Sequence, residues 1–439
     1  MKNQGFKLLC LLVCFALLTG CNGMSFTPEG AIRAPRAAGI YRGVQDALES
    51  AVGGDVVLKY PLVGNTNTAF SPCDFEGDGK AEMLAFYRLP AEGEVTRVNL
   101  IRQIDGDWQS VQELETEGSD IAHVDYCDLN GDGRDELCIG WSVYTTRSNL
   151  MCVYQYENGM LVQRAAEPYT KHVICDIDGD GIKELGLALL DTTTNTSGIS
   201  FYEIGKDGIS VLGTLELDRG VSAYAQMAAG NITSNQIGVY LDAHKGTDNT
   251  ITELVYLKDG RLYNPFASSV DNANVATLRY AKILSNDVNK DGLLEIPFME
   301  SLPGYAETEE EAPVERIDRN LICWRAFGGN VGDPMAVWWY NSAEGYYFAV
   351  DGGRRGEFTV LYSDSKKEYT FYLWDGTALS HRLFSIKSFT VEDWEARTSV
   401  DYVELNSDGK IVWAASIANG NEWGMTYEDA KARFHLILK

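Results

Sequence analysis

Short apolar runs separated by glycine- and aspartate-rich breaks dominate the chain from residue 55 onward. The runs at 83–87 and 137–141 are strand length rather than helix length, and each carries an aromatic residue. Between 120 and 164 the pattern resolves into four strands, near 120–127, 135–144, 149–156 and 160–164. Further strands are predicted at 55–59, 321–327 and 335–341. After residue 342 the runs 346–350, 358–362, 369–374 and 379–386 alternate as strands, and 400–405 and 411–416 flank a turn at 406–409. Helical spacing is confined to 41–52, to a stretch carrying Trp394, and to a last one carrying Ala430, Phe434 and Leu438. The second and third helices follow Thr390-Val-Glu-Asp393 and Thr426-Tyr-Glu-Asp429, which have the spacing of a capping box. With 23 Tyr, 16 Phe, 9 Trp and 43 Gly, the composition points the same way, to β-structure with many turns.

Four of the polar breaks align without gaps. Their residues at positions 1, 3, 5, 7 and 9 are Asp74, Glu76, Asp78, Lys80 and Glu82; Asp128, Asn130, Asp132, Arg134 and Glu136; Asp176, Asp178, Asp180, Ile182 and Glu184; and Asp287, Asn289, Asp291, Leu293 and Glu295. Glycine stands at position 6 of each. Alternate residues turn three oxygens to one side of a tight loop, and the backbone carbonyl at position 7 adds another, a ligand set suited to a hard cation such as Ca²⁺. An EF-hand would need a bidentate Glu at position 12, where this chain has Ala85, Ile139, Leu187 and Phe298. The acid falls at position 9 and runs straight into a strand, so each loop is expected to close a β-hairpin. An acidic Asp-Gly turn without metal is the plainer reading of any single loop. Four loops with one spacing point to about four Ca²⁺ ions.

The first aspartates lie at 74, 128, 176 and 287, intervals of 54, 48 and 111. The last interval is two repeats long, and 228–238 stands where a further loop would fall, with its carboxylates gone. A period of about 50 residues is that of propeller blades. These loops resemble the FG-GAP/VCBS repeat family, whose propeller blades carry D-x-[DN]-x-D-G-x-x-[DE] between their first two strands. The resemblance spans about 58–340 and implies a mainly β fold, a β-propeller-like array of about five blades followed by a small α+β C-terminal domain. Two features depart from the family. Five blades are fewer than such propellers usually have, so the C-terminal stretch would have to complete the ring, or the ring would be small or open. Glu76 also replaces the usual Asp or Asn at position 3.

The N-terminus adds an address. Lys2 and Lys7 precede an apolar stretch at 8–18, and Leu18-Thr19-Gly20-Cys21 matches the bacterial lipobox. The expected organisation is a signal peptide at 1–20, lipidated Cys21 and a tether at 21–40, the repeat domain at 41–341 and the α+β domain at 342–439. The expected location is extracytoplasmic, held at the bacterial membrane by the lipid. The formal charge of −26 becomes −28 once Lys2 and Lys7 leave with the signal, which disfavours nucleic acid and anionic lipid surfaces as partners. Cys73, Cys127 and Cys175 each precede a first loop aspartate and read as small buried strand residues. With Cys138, Cys152 and Cys323 they are expected as free thiols, Cys138–Cys152 being the best-placed disulfide should one form.

Enzyme signatures are sparse. The five histidines, His123, His172, His244, His381 and His435, are scattered in sequence, and there is no H-E-x-x-H, G-x-S-x-G or Walker motif. His123 and His172 precede their loops by five and four residues and are expected as structural strand residues. Ser363-x-x-Lys366 lacks its partner motifs. The expected function is a Ca²⁺-binding module for adhesion or scaffolding at the cell surface that contacts glycan, peptide or another surface protein, with Trp141, Trp338, Trp339 and Trp423 as candidate platforms. The alternative is a lyase-like enzyme acting on polysaccharide, or the accessory lipoprotein of a glycan-processing system.

Overall fold

A computed structural model describes residues 39–437 apart from 94, 115–116, 144–147, 207, 305–316 and 399–400. The signal segment, Cys21, most of the tether, the acidic run at 307–315 and Leu438 lie outside the described residues. The fold is mainly β, laid out as six antiparallel sheets of four or five strands.

Sheet 1 (Val57–Leu58, Phe70–Cys73, Glu82–Arg88, Arg97–Ile104, Asp107–Glu113) and the helix Ile40–Val52 form one compact unit. The helix buries Val44 and Leu48 against Phe70, Met83, Tyr87 and Ile101. Its last turn stops at Gly53, whose left-handed backbone (φ 73°) suits a residue without a β-carbon.

The second unit comprises 61–67, 74–80 and everything from 117 on. Sheet 2 (Asp120–Cys127, Glu136–Ser142, Asn149–Glu157, Met160–Tyr169) and sheet 3 (Lys171–Cys175, Glu184–Asp191, Thr196–Gly205, Gly208–Glu216) are four-stranded meanders. Sheet 4 (Ala223–Thr233, Gln236–Lys245, Asn249–Lys258, Arg261–Tyr263) is a third. Each sheet packs on the next. Met151 and Val153 of sheet 2 meet Leu185 and Leu187 of sheet 3, and Phe201 of sheet 3 meets Val239 and Leu241 of sheet 4. The second strand of each sheet is therefore covered on both faces. That explains why 137–141 and 185–190 read as continuous apolar runs and not as alternating ones.

The copy expected at 228–238 folds differently from its siblings. Residues 228–233 continue the strand Ala223–Thr233, and Thr233 pairs with Gln236 across a two-residue turn. In sheet 3, Lys171 pairs with Ala188; its counterpart Ala223 pairs with His244, well past Tyr240, the counterpart of Ala188. Ala228, Gly230 and Ile232 have no side-chain oxygen to gather the backbone N–H groups, so these enter the ladder instead.

The boundary expected at 341/342 cuts a hairpin. Ala336–Asn341 pairs with Tyr346–Val350, and both belong to sheet 5 with Glu295–Ser301, Asn320–Ala326 and Phe434–Leu436. The last helix correspondingly ends at Arg433, short of the expected span. Phe434–Leu436 adds to the open edge of sheet 5, where Phe434 packs on Tyr346 at 4.8 Å. Thr426 and Asp429 form the capping box that starts this helix. Sheet 6 (Phe358–Ser363, Glu368–Trp374, Leu379–Thr390, Ile411–Ile417, Val403–Ser407) shares one aromatic core with sheet 5, in which Trp339, Phe348, Phe371 and Phe384 are fully buried.

The six described cysteines are free. Cys152 lies directly across from Ile139, and Cys138 across from Val153, so Cys138 and Cys152 point to opposite faces of sheet 2 and cannot bond. Trp141 and Trp339 are core residues with no exposed surface, which removes them as ligand platforms. Trp338 stacks on Tyr347 and Trp423 packs against Phe358.

Candidate metal centres

The four loops close hairpins in one register. The residue before position 1 pairs with the position-9 Glu in every case: Cys73 with Glu82, Cys127 with Glu136, Cys175 with Glu184, and Asn286 with Glu295. Position 2 drives a large apolar side chain inward, as with Phe75, Leu129 and Ile177, which anchors the loop to the core.

Backbone N–H groups then fix the carboxylates. The position-1 Asp accepts from the loop backbone through both oxygens: Asp128 from Gly131 and Gly133 at 2.7 and 2.9 Å, Asp176 from Gly179 and Gly181 at 2.7 and 3.0 Å. Asp74 and Asp287 likewise accept from positions 5 and 6. Asp78, Asp132, Asp180 and Asp291 at position 5 accept from the N–H of Lys80, Arg134, Ile182 and Leu293. Glu136, Glu184 and Glu295 each accept from the position-2 N–H at 2.7 to 2.9 Å. Only a tight double turn reaches this arrangement, and position 6 adopts a left-handed backbone in all four loops (φ 80° to 93°), which explains its glycine.

The loops differ in charge. In the third and fourth, carboxylate oxygens of Asp176, Asp178 and Glu184, and of Asp287, Asp291 and Glu295, lie within 4.8 Å of one another. In the first two, a cation from position 7 already pairs with position 5: Lys80 with Asp78 at 3.2 Å and Arg134 with Asp132 at 2.7 Å. Glu76 is engaged by the Tyr156 hydroxyl at 2.8 Å, and Asn130 donates to Glu136 at 2.6 Å. The third and fourth loops are therefore the stronger candidates for a bound ion.

The residues fit a hard cation on one further ground. Glu295 is fully buried, and its Oε1 has no hydrogen-bond partner. A carboxylate held that way asks for a proton or a metal. Burial, then the neighbouring loop aspartates, pushes Glu136 and Glu184 up to about 7 and raises Glu295. These acids hold a proton more tightly folded than unfolded. In the absence of metal, their contribution to stability is full below their ordinary value of 4.5 and is lost as pH rises through about 7. In EDTA the protein is expected to melt higher at pH 5.5 than at pH 8, and saturating Ca²⁺ should close that gap. A flat profile in EDTA would contradict the assignment.

Beside the first two loops lies an open polar groove of about 980 Å³, lined by Glu76, Asn130, Arg134, Tyr156, Gly205 and Lys206. No protein-family model matches the chain, and no curated protein matches it. Among solved structures the chain is similar to the rhamnogalacturonan lyase YesW, with TM-score 0.31 and 11% identity over 75% of this chain and 92% of that one. It is similar to the exotype rhamnogalacturonan lyase YesX (0.32, 11%, 70% and 77%) and to a Bacillus licheniformis rhamnogalacturonan lyase (0.31, 11%, 82% and 91%). Likeness at this level bears on neither activity nor substrate.

Two side-chain groups escaped the sequence reading. His123 and His172, expected as separate structural residues, meet at Asp125. Their near-equivalent positions ahead of successive loops were the available signal, since equivalent strands of packed sheets lie side by side. The second group is a polar cavity of about 610 Å³ on the outer face of sheet 6, lined by Lys366, Glu368, Tyr372, Arg382, Tyr402 and Tyr427. Those residues come from four separate chain segments, and no local spacing announces them.

Proposed function

We propose that this chain is an exported, lipid-anchored repeat protein of propeller-like, FG-GAP/VCBS type, whose hairpin loops hold Ca²⁺ and whose loop-side groove binds a glycan outside the cell. The observation that carries the reading is the shared loop register with a buried, unpaired Glu295 oxygen at its centre. Extracytoplasmic display is supported by the lipobox ending at Cys21 and by loops that suit a calcium-rich medium. The succession of packed four-stranded meanders supports the propeller-like arrangement. The groove is mostly polar and open, with Tyr156 beside Arg134 and Lys206, a lining suited to hydroxyl-rich or acidic sugars.

A second reading, an enzyme acting on polysaccharide, is favoured by the cavity on sheet 6. There Tyr402 donates to Glu368, and burial together with that carboxylate raises the Tyr402 pKa, keeping the phenol protonated. Arg382, anchored to Ser416 at 2.9 Å, supplies positive charge next to this acid pair. Such a set can hold a sugar carboxylate and deliver a proton.

One experiment separates the two. The full-length protein in detergent is applied to a glycan array with and without Ca²⁺, and the same polysaccharides are incubated with it and assayed for new reducing or unsaturated ends. The binding reading expects Ca²⁺-dependent retention, weakened about tenfold by Lys206→Ala or Arg134→Ala, with the polysaccharides intact. Product formation abolished by Tyr402→Phe would favour the second reading. Calcium-independent or absent retention would sink the first.

A further inference from the structure

The meeting of His123, Asp125 and His172 has no role in the loops. His123 and Asp125 lie on the strand Asp120–Cys127 of sheet 2, two residues apart, and His172 lies on Lys171–Cys175 of sheet 3. His172 Nε2 stands 3.0 Å and His123 Nε2 3.5 Å from the same Asp125 oxygen, Oδ2. The imidazoles stack with centroids 3.8 Å apart.

The two rings differ in their surroundings. His123 is 3% exposed, and its Nε2 has no hydrogen-bond partner. Its other nitrogen, Nδ1, is fixed by the Tyr169 hydroxyl at 3.0 Å. Tyr169 itself is buried, with Asn149 at 3.5 Å from its hydroxyl. Backbone shape confirms that the ring position is built in. A β-carbon at Gly140 would lie 2.2 Å from both His123 Cε1 and the Tyr169 oxygen, so only glycine leaves room for this pair. His172 and Asp125 retain 25% and 29% side-chain exposure, giving the site a solvent side.

An unpaired buried imidazole nitrogen aimed at a carboxylate and a second imidazole is costly as a packing device alone. It is what a metal ligand looks like. We propose that His123, Asp125 and His172 form a site for a transition-metal ion such as Zn²⁺, separate from the Ca²⁺ loops and selected by its nitrogen ligands. Bonds of about 2.0–2.1 Å in tetrahedral geometry put ligand atoms about 3.3 Å apart, close to the spacings from Asp125 to each histidine. The ring planes, now parallel to within 8°, must splay to share an ion; His172, on the solvent side, is the one free to turn. Tyr169 is the outer-shell partner that presents His123 through Nε2. Three protein ligands leave a fourth position for water or ligand, toward the exposed side.

The test uses the full-length protein in detergent, stripped of transition metals and held in excess Ca²⁺ so that the loops do not compete. Co²⁺ serves as the spectroscopic probe, displaced by Zn²⁺. About one equivalent of Co²⁺ is expected to bind with intense visible bands of a tetrahedral N/O site, and Zn²⁺ should bleach them. His172→Ala and Asp125→Asn should weaken binding at least tenfold, and Tyr169→Phe about tenfold through loss of ring orientation. His172 is part-exposed, so His172→Ala keeps the test decisive even where His123→Ala fails to fold. No cobalt bands, or bands that persist unchanged in His172→Ala and Asp125→Asn, would overturn the proposal. Cobalt uptake and calcium-dependent melting are separate readouts, so either assignment can fail alone.

Discussion

Removing Ca²⁺ from the full-length protein with EDTA is expected to lower its melting temperature by on the order of 5 °C or more, with full recovery on adding Ca²⁺. The size follows from linkage. A site at one hundred times its dissociation constant contributes about 2.7 kcal/mol, and several loops act together. Glu295→Gln gives the sharper result, because its two effects have opposite sign. The amide keeps an oxygen for the Val288 N–H, at 2.9 Å in the parent, and removes a buried charge. In EDTA at pH 8 the variant should therefore melt higher than the parent. In Ca²⁺ it should melt lower, having lost a ligand from the loop of Asp287 and Asp291. Asp78→Asn should matter less, since Lys80 already neutralises that carboxylate. A melt indifferent to EDTA, with no calcium found by elemental analysis, would end the calcium reading.

Arg279→Met is expected to destabilise the protein by about 3–5 kcal/mol, the largest effect of any single substitution proposed for the region after sheet 4. Residues 264–285 form no long strand, yet they cover sheet 4 through a buried polar network. Arg279 and Asp242 are both fully buried and paired at 2.8 Å. The guanidinium also donates to the carbonyls of Ile283 and Thr277, and Asp242 accepts from Ser285 N–H and from the Thr252 hydroxyl. Burial lowers the Arg279 pKa to about 10, so it stays charged at neutral pH. Methionine leaves Asp242 buried without its counter-charge. Adding Asp242→Leu should restore only part of the loss, because Ser285 and Thr252 then lack their acceptor. Urea unfolding of the parent and the two variants checks this; a loss under about 1 kcal/mol for Arg279→Met would mean that the pair is not holding the segment.

Much of the architecture was written locally. The strand at 120–127 was legible to the residue, and the N-cap at Thr390 and the capping box at Thr426 placed two helices, because spacing within one segment decides such features. The loop geometry was legible for the same reason: carboxylates, turn and apolar anchor all fall within nine consecutive residues. What failed had partners far away in sequence. Phe434–Leu436 read as helix and became a strand because an open edge at Tyr346 offered hydrogen bonds. The stretch at 228–233 read as a decayed loop and became a strand because pairing took up what the missing carboxylates left unbound.

The sequence by itself determined that this is a chain of repeated β-hairpins with acidic, glycine-gated loops, since a few adjacent residues suffice to bend a backbone and point oxygens inward. Lys80 and Arg134 lie two residues from Asp78 and Asp132, so the charge pairing that sets the first two loops apart is itself local. Only the tertiary structure brought Tyr156, from a distant strand, to Glu76 of the first loop. It also brought His123 to His172 and Glu368 to Tyr402, from segments that meet only in the folded chain. Distance along the chain separates the two kinds of knowledge. A turn is fixed by neighbours in sequence, whereas a site built between sheets exists only once burial of apolar faces has stacked them.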